Sequence, residues 1–211
     1  MNLICNEYVT DRLDGLDVDS PKQIAIQLRQ ISYLYRRYEL SPAQVALFRS
    51  TVNRIRAHGV QLLLFVPPMS EYELELIRQG GHWSDLDNFK RAVAAISPFY
   101  DFAAYNGMAM RDEFYLQVIH FKAAPGHQIL RMLTGADDVP CNEDARIVAD
   151  SAIRVDPESI EHVLAIENLM RDESIKRDRD SRYMRMAADT IRFSQAEMAA
   201  GGNEESTGGD D

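Results

Sequence analysis

His58-Gly59-Val60-Gln61-Leu62-Leu63-Leu64-Phe65-Val66-Pro67-Pro68 is the stretch on which the fold turns. Gly59 ends the helix before it, because glycine adopts the left-handed turn without a steric penalty. Residues 60–66 are short and almost continuously apolar, the pattern of a strand buried on both faces of a parallel sheet. Pro67 and Pro68 stop it, since neither can donate to a ladder. Read this way, residues 60–66 form a central strand. Leu63→Asp would then unfold the domain, because an unpaired carboxylate in a core costs a large part of typical stability.

Helices are expected on both sides of that run. Ser20 followed by Pro21 is a helix start, and Ile24, Ile26, Leu28, Ile31, Leu34 and Tyr35 follow on one broad face,. Ser41-Pro42 repeats the signal, with Val45, Phe48, Val52 and Ile55 at helical spacing,. Residues 70–79 and 84–96 read as two more helices, parted by Gly80-Gly81. Residues 99–102 (Phe-Tyr-Asp-Phe) read as a second strand, 103–119 as loop, and Pro125 opens a helix that Gly135 closes. Alternation of this kind is the α/β signature.

Three segments follow: residues 1–135 as the α/β domain, 136–199 as an acidic linker and a charged helical extension, and 200–211 as an acidic tail. The last twelve residues hold four acids and no base. With one alanine and no other apolar side chain, that tail is expected to be disordered. The mixed charges of residues 171–182 read as a solvated helix face.

The chain has 211 residues, 45% of them apolar, and a net charge of −10. An acidic balance argues against nucleic acid, whose phosphates need clustered Lys and Arg. No apolar run is long enough to span a bilayer. The start, MNLICNEYVTDRLDG, lacks a basic n-region and an apolar core, so no signal peptide is expected and the location is read as cytoplasmic. Cys5 and Cys141 read as free thiols,. The five histidines, His58, His82, His120, His127 and His162, lack metal-ligand spacing, so neither metal nor cofactor is expected.

One ordered set of motifs points further. Val66-Pro67-Pro68 ends a strand, and a helix with Trp83 at its start region follows. Tyr100-Asp101-Phe102, His120-Phe121-Lys122 and Pro125 with Ile129-Leu130 then follow in order. Together they resemble the C-terminal half of SGNH (GDSL-like) hydrolases, related to bacterial polysaccharide O-acetyltransferases and esterases, over residues 21–135. The resemblance implies a parallel-sheet three-layer sandwich of the SGNH or flavodoxin type, here incomplete. It implies His120 as the base that takes a serine's proton, with Gln117 standing where the family has an Asp that orients the base. It also marks what is missing: the serine block and its oxyanion donors. Ser70 reads as a helix N-cap rather than a nucleophile. Family relatives are often periplasmic or envelope-associated. The implied function is a truncated or degenerate relative of enzymes acting on O-acyl esters of glycans, inactive as this chain alone. Two alternatives stand beside it: a scaffolding protein that binds a partner or its own copy through residues 157–199, and half of an esterase completed by another chain.

Overall fold

The computed structural model describes residues 20–36, 38–135, 142–177 and 181–201. Cys5, Cys141 and the tail from 202 onward lie outside the described residues.

The helix starts expected at Pro21 and Pro42 are where the sequence places them, whereas the helix expected to open at Pro125 begins at Ala123. Helix α1 runs Pro21–Tyr35, and the Ser20 side chain accepts from the Gln23 N–H at 3.3 Å. Helix α2 runs Pro42–Ala57 and ends at Gly59, whose φ is +69°. Then come β1 (Phe65–Val66), α3 (Glu71–Gln79), α4 (Trp83–Ala94) and β2 (Phe99–Asp101). A 3₁₀ turn leads into β3 (Tyr115–Gln117), β4 (His120–Phe121) and α5 (Ala123–Thr134), and α5 closes on Gly135 at φ +67°. Helix α6 (Glu143–Ser151), β5 (Ile153–Val155), α7 (Ile160–Arg177) and α8 (Arg182–Gly201) complete the described chain. The helical stretch after residue 157 is thus two helices. Helix α6 and strand β5 arise where the sequence reads as linker.

The three-layer parallel sandwich is not what forms. Helix predominates, and the strands make one three-stranded sheet in the order β1-β2-β5 and a separate β3–β4 hairpin. Only β1 and β2 are parallel; β5 runs antiparallel to β2. The cause is a lack of partners for the apolar run. Strand β2 begins at Phe99, directly after Pro98, which has no N–H to extend the ladder backwards. Residues 60–64 therefore gain no strand neighbour, although Leu64 still accepts from the Tyr100 N–H at 2.9 Å. Strand β1 lies at the sheet edge, and Leu63 is 42% exposed.

Ionic groups hold the interior. The Lys90 ammonium is fully buried, 2.9 Å from Asp101 Oδ2 and 2.7 Å from Glu167 Oε2, and it donates to the Ala103 carbonyl at 2.8 Å. That cluster ties α4, β2 and α7 together beside an apolar core built on Val66, Phe99, Val155 and Leu164. Burial pulls the Lys90 pKa down, but the Asp101 and Glu167 carboxylates outweigh it and hold the ammonium charged. Burial first, and the Asp101 charge as well, raise the Glu167 carboxyl above the usual range despite Lys90.

Helix α3 is buried on every side from Glu71 to Ile77. Leu74 and Ile77 pack with Trp83 and Tyr105, while Tyr72 and Leu76 pack with Leu28 and Ile31. Helix α8 crosses both α1 and α3. Glu75, on the same helix, has no exposed surface. Arg78, Gln79 and the Tyr105 hydroxyl satisfy it at 2.6, 2.8 and 2.7 Å.

Two variants separate these roles. Leu63→Asp should stay folded, its unfolding free energy within about 0.5 kcal/mol of the parent, as for an exposed site. Lys90→Ala, which strands two buried carboxylates, should lose about 3–5 kcal/mol. Urea unfolding followed by circular dichroism distinguishes the outcomes.

Candidate functional site

The β3–β4 hairpin turns at Val118-Ile119 and sets Gln117 opposite His120. Gln117 Oε1 lies 3.0 Å from His120 Nδ1. An amide oxygen only accepts, so Nδ1 carries the hydrogen and the lone pair sits on Nε2. That is the orientation of a base, held by a neutral partner that lends no charge to an imidazolium. His120 is exposed, and among the described residues no serine, threonine or tyrosine hydroxyl bonds to it.

Ser70 stands at the N-cap of α3 and is 3% exposed. Its hydroxyl donates to the Val118 carbonyl at 2.5 Å and accepts from the Glu73 N–H at 3.3 Å. The Val118 N–H in turn donates to Gln27 Oε1 at 3.0 Å. Both backbone groups of Val118 are thus tied, one to α3 and one to α1, and the Ser70 proton is already committed. Cap and base share a hairpin without being joined as nucleophile and base.

Beside this turn lies a cleft of about 200 Å³, with Ser70, Tyr72, Asp112, Tyr115, Gln117 and Arg182 among its walls. Arg182 pairs with Asp112, and the Tyr183 hydroxyl donates to the same carboxylate at 3.2 Å. The Arg182 guanidinium also lies over the Tyr72 ring, 5.8 Å from its centre. Tyr115 is 5% exposed, and its hydroxyl oxygen has no hydrogen-bond partner. Burial, and then the charge of Glu73, raise its pKa.

Behind the cleft, Glu73 accepts from the Tyr35 hydroxyl at 2.5 Å. Burial lifts the Glu73 carboxyl to about 7, although the Tyr35 hydrogen bond pulls the other way. Gln117 and His120, both singled out in the sequence, are hydrogen-bonded neighbours. Sequence reasoning did not find Asp112, Tyr115 or Arg182, which converge from a 3₁₀ turn, a strand and a distant helix. Only the alternating Glu71, Glu73 and Glu75 on a helix that also carries Tyr72, Leu74 and Leu76 could have hinted at buried acids. Trp83 is buried, and its indole donates to Asn168 at 2.9 Å.

Among the described residues, no three His, Cys, Asp or Glu side chains gather as a metal site, and no helix is long and apolar enough to cross a membrane. No family model matches the chain, and no curated protein or solved structure matches it either.

Glu73 gives stability a pH dependence. A carboxyl at about 7 when folded and at the ordinary 4.5 when unfolded makes the native state bind more protons between those values. Stability should therefore fall as pH rises through that window. Glu167, also raised, acts in the same sense. Scanning calorimetry should show Tm falling from about pH 5 to about pH 8, and Glu73→Gln should flatten part of that fall.

Proposed function

We propose that this chain is a non-hydrolytic binding protein, a degenerate relative of enzymes that act on O-acyl esters of glycans. It binds a hydroxyl-rich ring of sugar size in the cleft beside the β3–β4 hairpin. One observation carries the first half: the Ser70 hydroxyl donates into the Val118 carbonyl and caps α3. A hydroxyl held this way does not hand its proton to His120, and Gln117 would not stabilise the resulting imidazolium. The cleft supports the second half. The wall sets the exposed Asp112–Arg182 pair beside Tyr72 and Tyr115, the mixture of charged and aromatic groups that a polar ring requires.

The test has two arms. Hydrolysis of p-nitrophenyl acetate by the purified chain should equal that of His120→Ala; turnover that His120→Ala abolishes would overturn the non-hydrolytic assignment. Titration with 6-O-acetylglucose and with glucose, followed by NMR, should shift Tyr115 and His120 ring signals saturably, and Tyr115→Phe should weaken binding several-fold. An absence of shifts at tens of millimolar ligand would remove the binding role. In Gln117→Asp the His120 ring signals should titrate at higher pH, because an anion favours the imidazolium, with no esterase activity gained.

A second reading has one observation behind it. Strand β1 is an edge, Phe65 on it and Leu63 just before it are exposed, and residues 60–66 carry no charge. An uncharged apolar edge of this kind invites a strand from elsewhere. On this reading another chain pairs there and brings the missing nucleophile. Esterase activity that appears only in a co-purified complex would favour this reading over the first.

A further inference from the structure

The side chains of residues 60–66 alternate from Gln61 onward. Gln61, Leu63 and Phe65 are exposed, Leu62 and Leu64 half-buried, and Val66 buried. That is the two-residue period of a strand, although only Phe65–Val66 has a ladder partner. The backbone alternates with it. The Leu64 carbonyl accepts from the Tyr100 N–H at 2.9 Å, and the Val66 carbonyl from the Phe102 N–H at 3.2 Å. Even-numbered residues thus turn their backbone groups toward β2, and Gln61, Leu63 and Phe65 point theirs to the open side of the sheet. Among the described residues, Leu63 makes no backbone hydrogen bond.

An open edge is a template for another strand, and the segment itself selects the occupant. It reads nearly the same in both directions. Turned about Leu63, Val60 falls opposite Val66, Leu62 opposite Leu64, and Leu63 meets its own kind. The outward backbone groups suit the same axis, because Leu63 with Leu63, and Gln61 with Phe65 on either side, become hydrogen-bonded antiparallel pairs. The run holds no charge, and Gly59 of one copy falls opposite Pro67 of the other, so no like charges face each other across it,. The far edge of the sheet fails this test. Strand β5 centres on the exposed Arg154, and the equivalent pairing would set two guanidinium groups together.

We propose that a second copy of this chain pairs antiparallel along residues 60–66, about a two-fold axis at Leu63, and joins the two three-stranded sheets into one of six strands. The contact is short, so the dimer is transient. The edge is the one on which the second reading above rests, but a second copy lacks the same serine block and restores no hydrolysis. The dimer and the cleft beside the β3–β4 hairpin therefore fail or stand separately.

The experiment is sedimentation velocity of the full chain from about 5 to about 500 μM, the range of a weak complex. The mass should rise toward twice that of one chain. Each copy carries a net charge of −10, so raising salt from about 0.05 to about 0.5 M should tighten the dimer by screening that repulsion. Leu63→Lys sets two ammonium groups face to face on the axis and should weaken association at least about tenfold. Leu63 is exposed, so the variant should keep the parent Tm at low micromolar concentration, where the chain is monomeric. Gln61→Pro, which removes an outward N–H and leaves the β2 side intact, should weaken association too. Amide exchange followed by NMR reads the register: the Leu63 and Phe65 N–H groups should exchange more slowly as concentration rises, with little change at Val66. A chain that stays monomeric over the whole range would overturn the proposal. Association that both variants leave unchanged would overturn it by placing the contact on another surface. Protection of Leu63 that is independent of concentration would overturn it as well, since the chain would then cover its own edge.

Discussion

A single buried ammonium organises the described chain. Lys90 reaches Asp101 and Glu167 from a position with no solvent exposure, and each partner belongs to a different element. A charge removed from water is tolerated only when paired and fully hydrogen-bonded. Helix α4, strand β2 and helix α7 can therefore approach in one arrangement. The apolar contacts of Val66, Phe99, Val155 and Leu164 add stability to it, but apolar packing alone would accept neighbouring registers more readily.

The same logic runs through α3. A helix covered on all sides usually carries no acids, yet this one carries three. Glu75 is answered within the helix by Arg78 and Gln79, and across it by Tyr105. Glu73 is answered by Tyr35 from α1 and otherwise by its own raised pKa. Acids here act as addresses: each specifies which neighbour must stand on which side of the helix. The proposed cleft borders α3 near Ser70 and Tyr72.

Local signals in the sequence were legible. Ser20-Pro21 and Ser41-Pro42 mark helix starts, Gly59 and Gly135 mark stops, and residues 99–101 form the second strand. The pairing of Gln117 with His120 was legible too, because a two-residue turn joins them. What escaped was non-local. Residues 60–66 look like a central strand by composition, but strand depth depends on who pairs with it, and Pro98 denies it most of a partner. Strand β5 is three residues of Ile-Arg-Val in a stretch otherwise read as linker, too short to announce itself. A lysine at position 90 looks like any surface lysine until Asp101 and Glu167 surround it. Arg182 reaches the cleft from a helix seventy residues beyond Asp112, a distance over which periodicity carries no information.

Because Lys90 waits for Glu167, 77 residues further on, the order in which the ribosome delivers the chain matters. A nascent chain that has not yet released α7 holds Lys90 with Asp101 alone, Trp83 without Asn168 for its indole, and α3 without the α8 crossing that covers it. Contacts of such long sequence separation form late and slowly. The early elements therefore emerge with ionised groups and apolar faces that only the last helices can enclose. Exposed apolar surface on a waiting chain is what drives aggregation, so the early elements depend on the prompt arrival of the last helices.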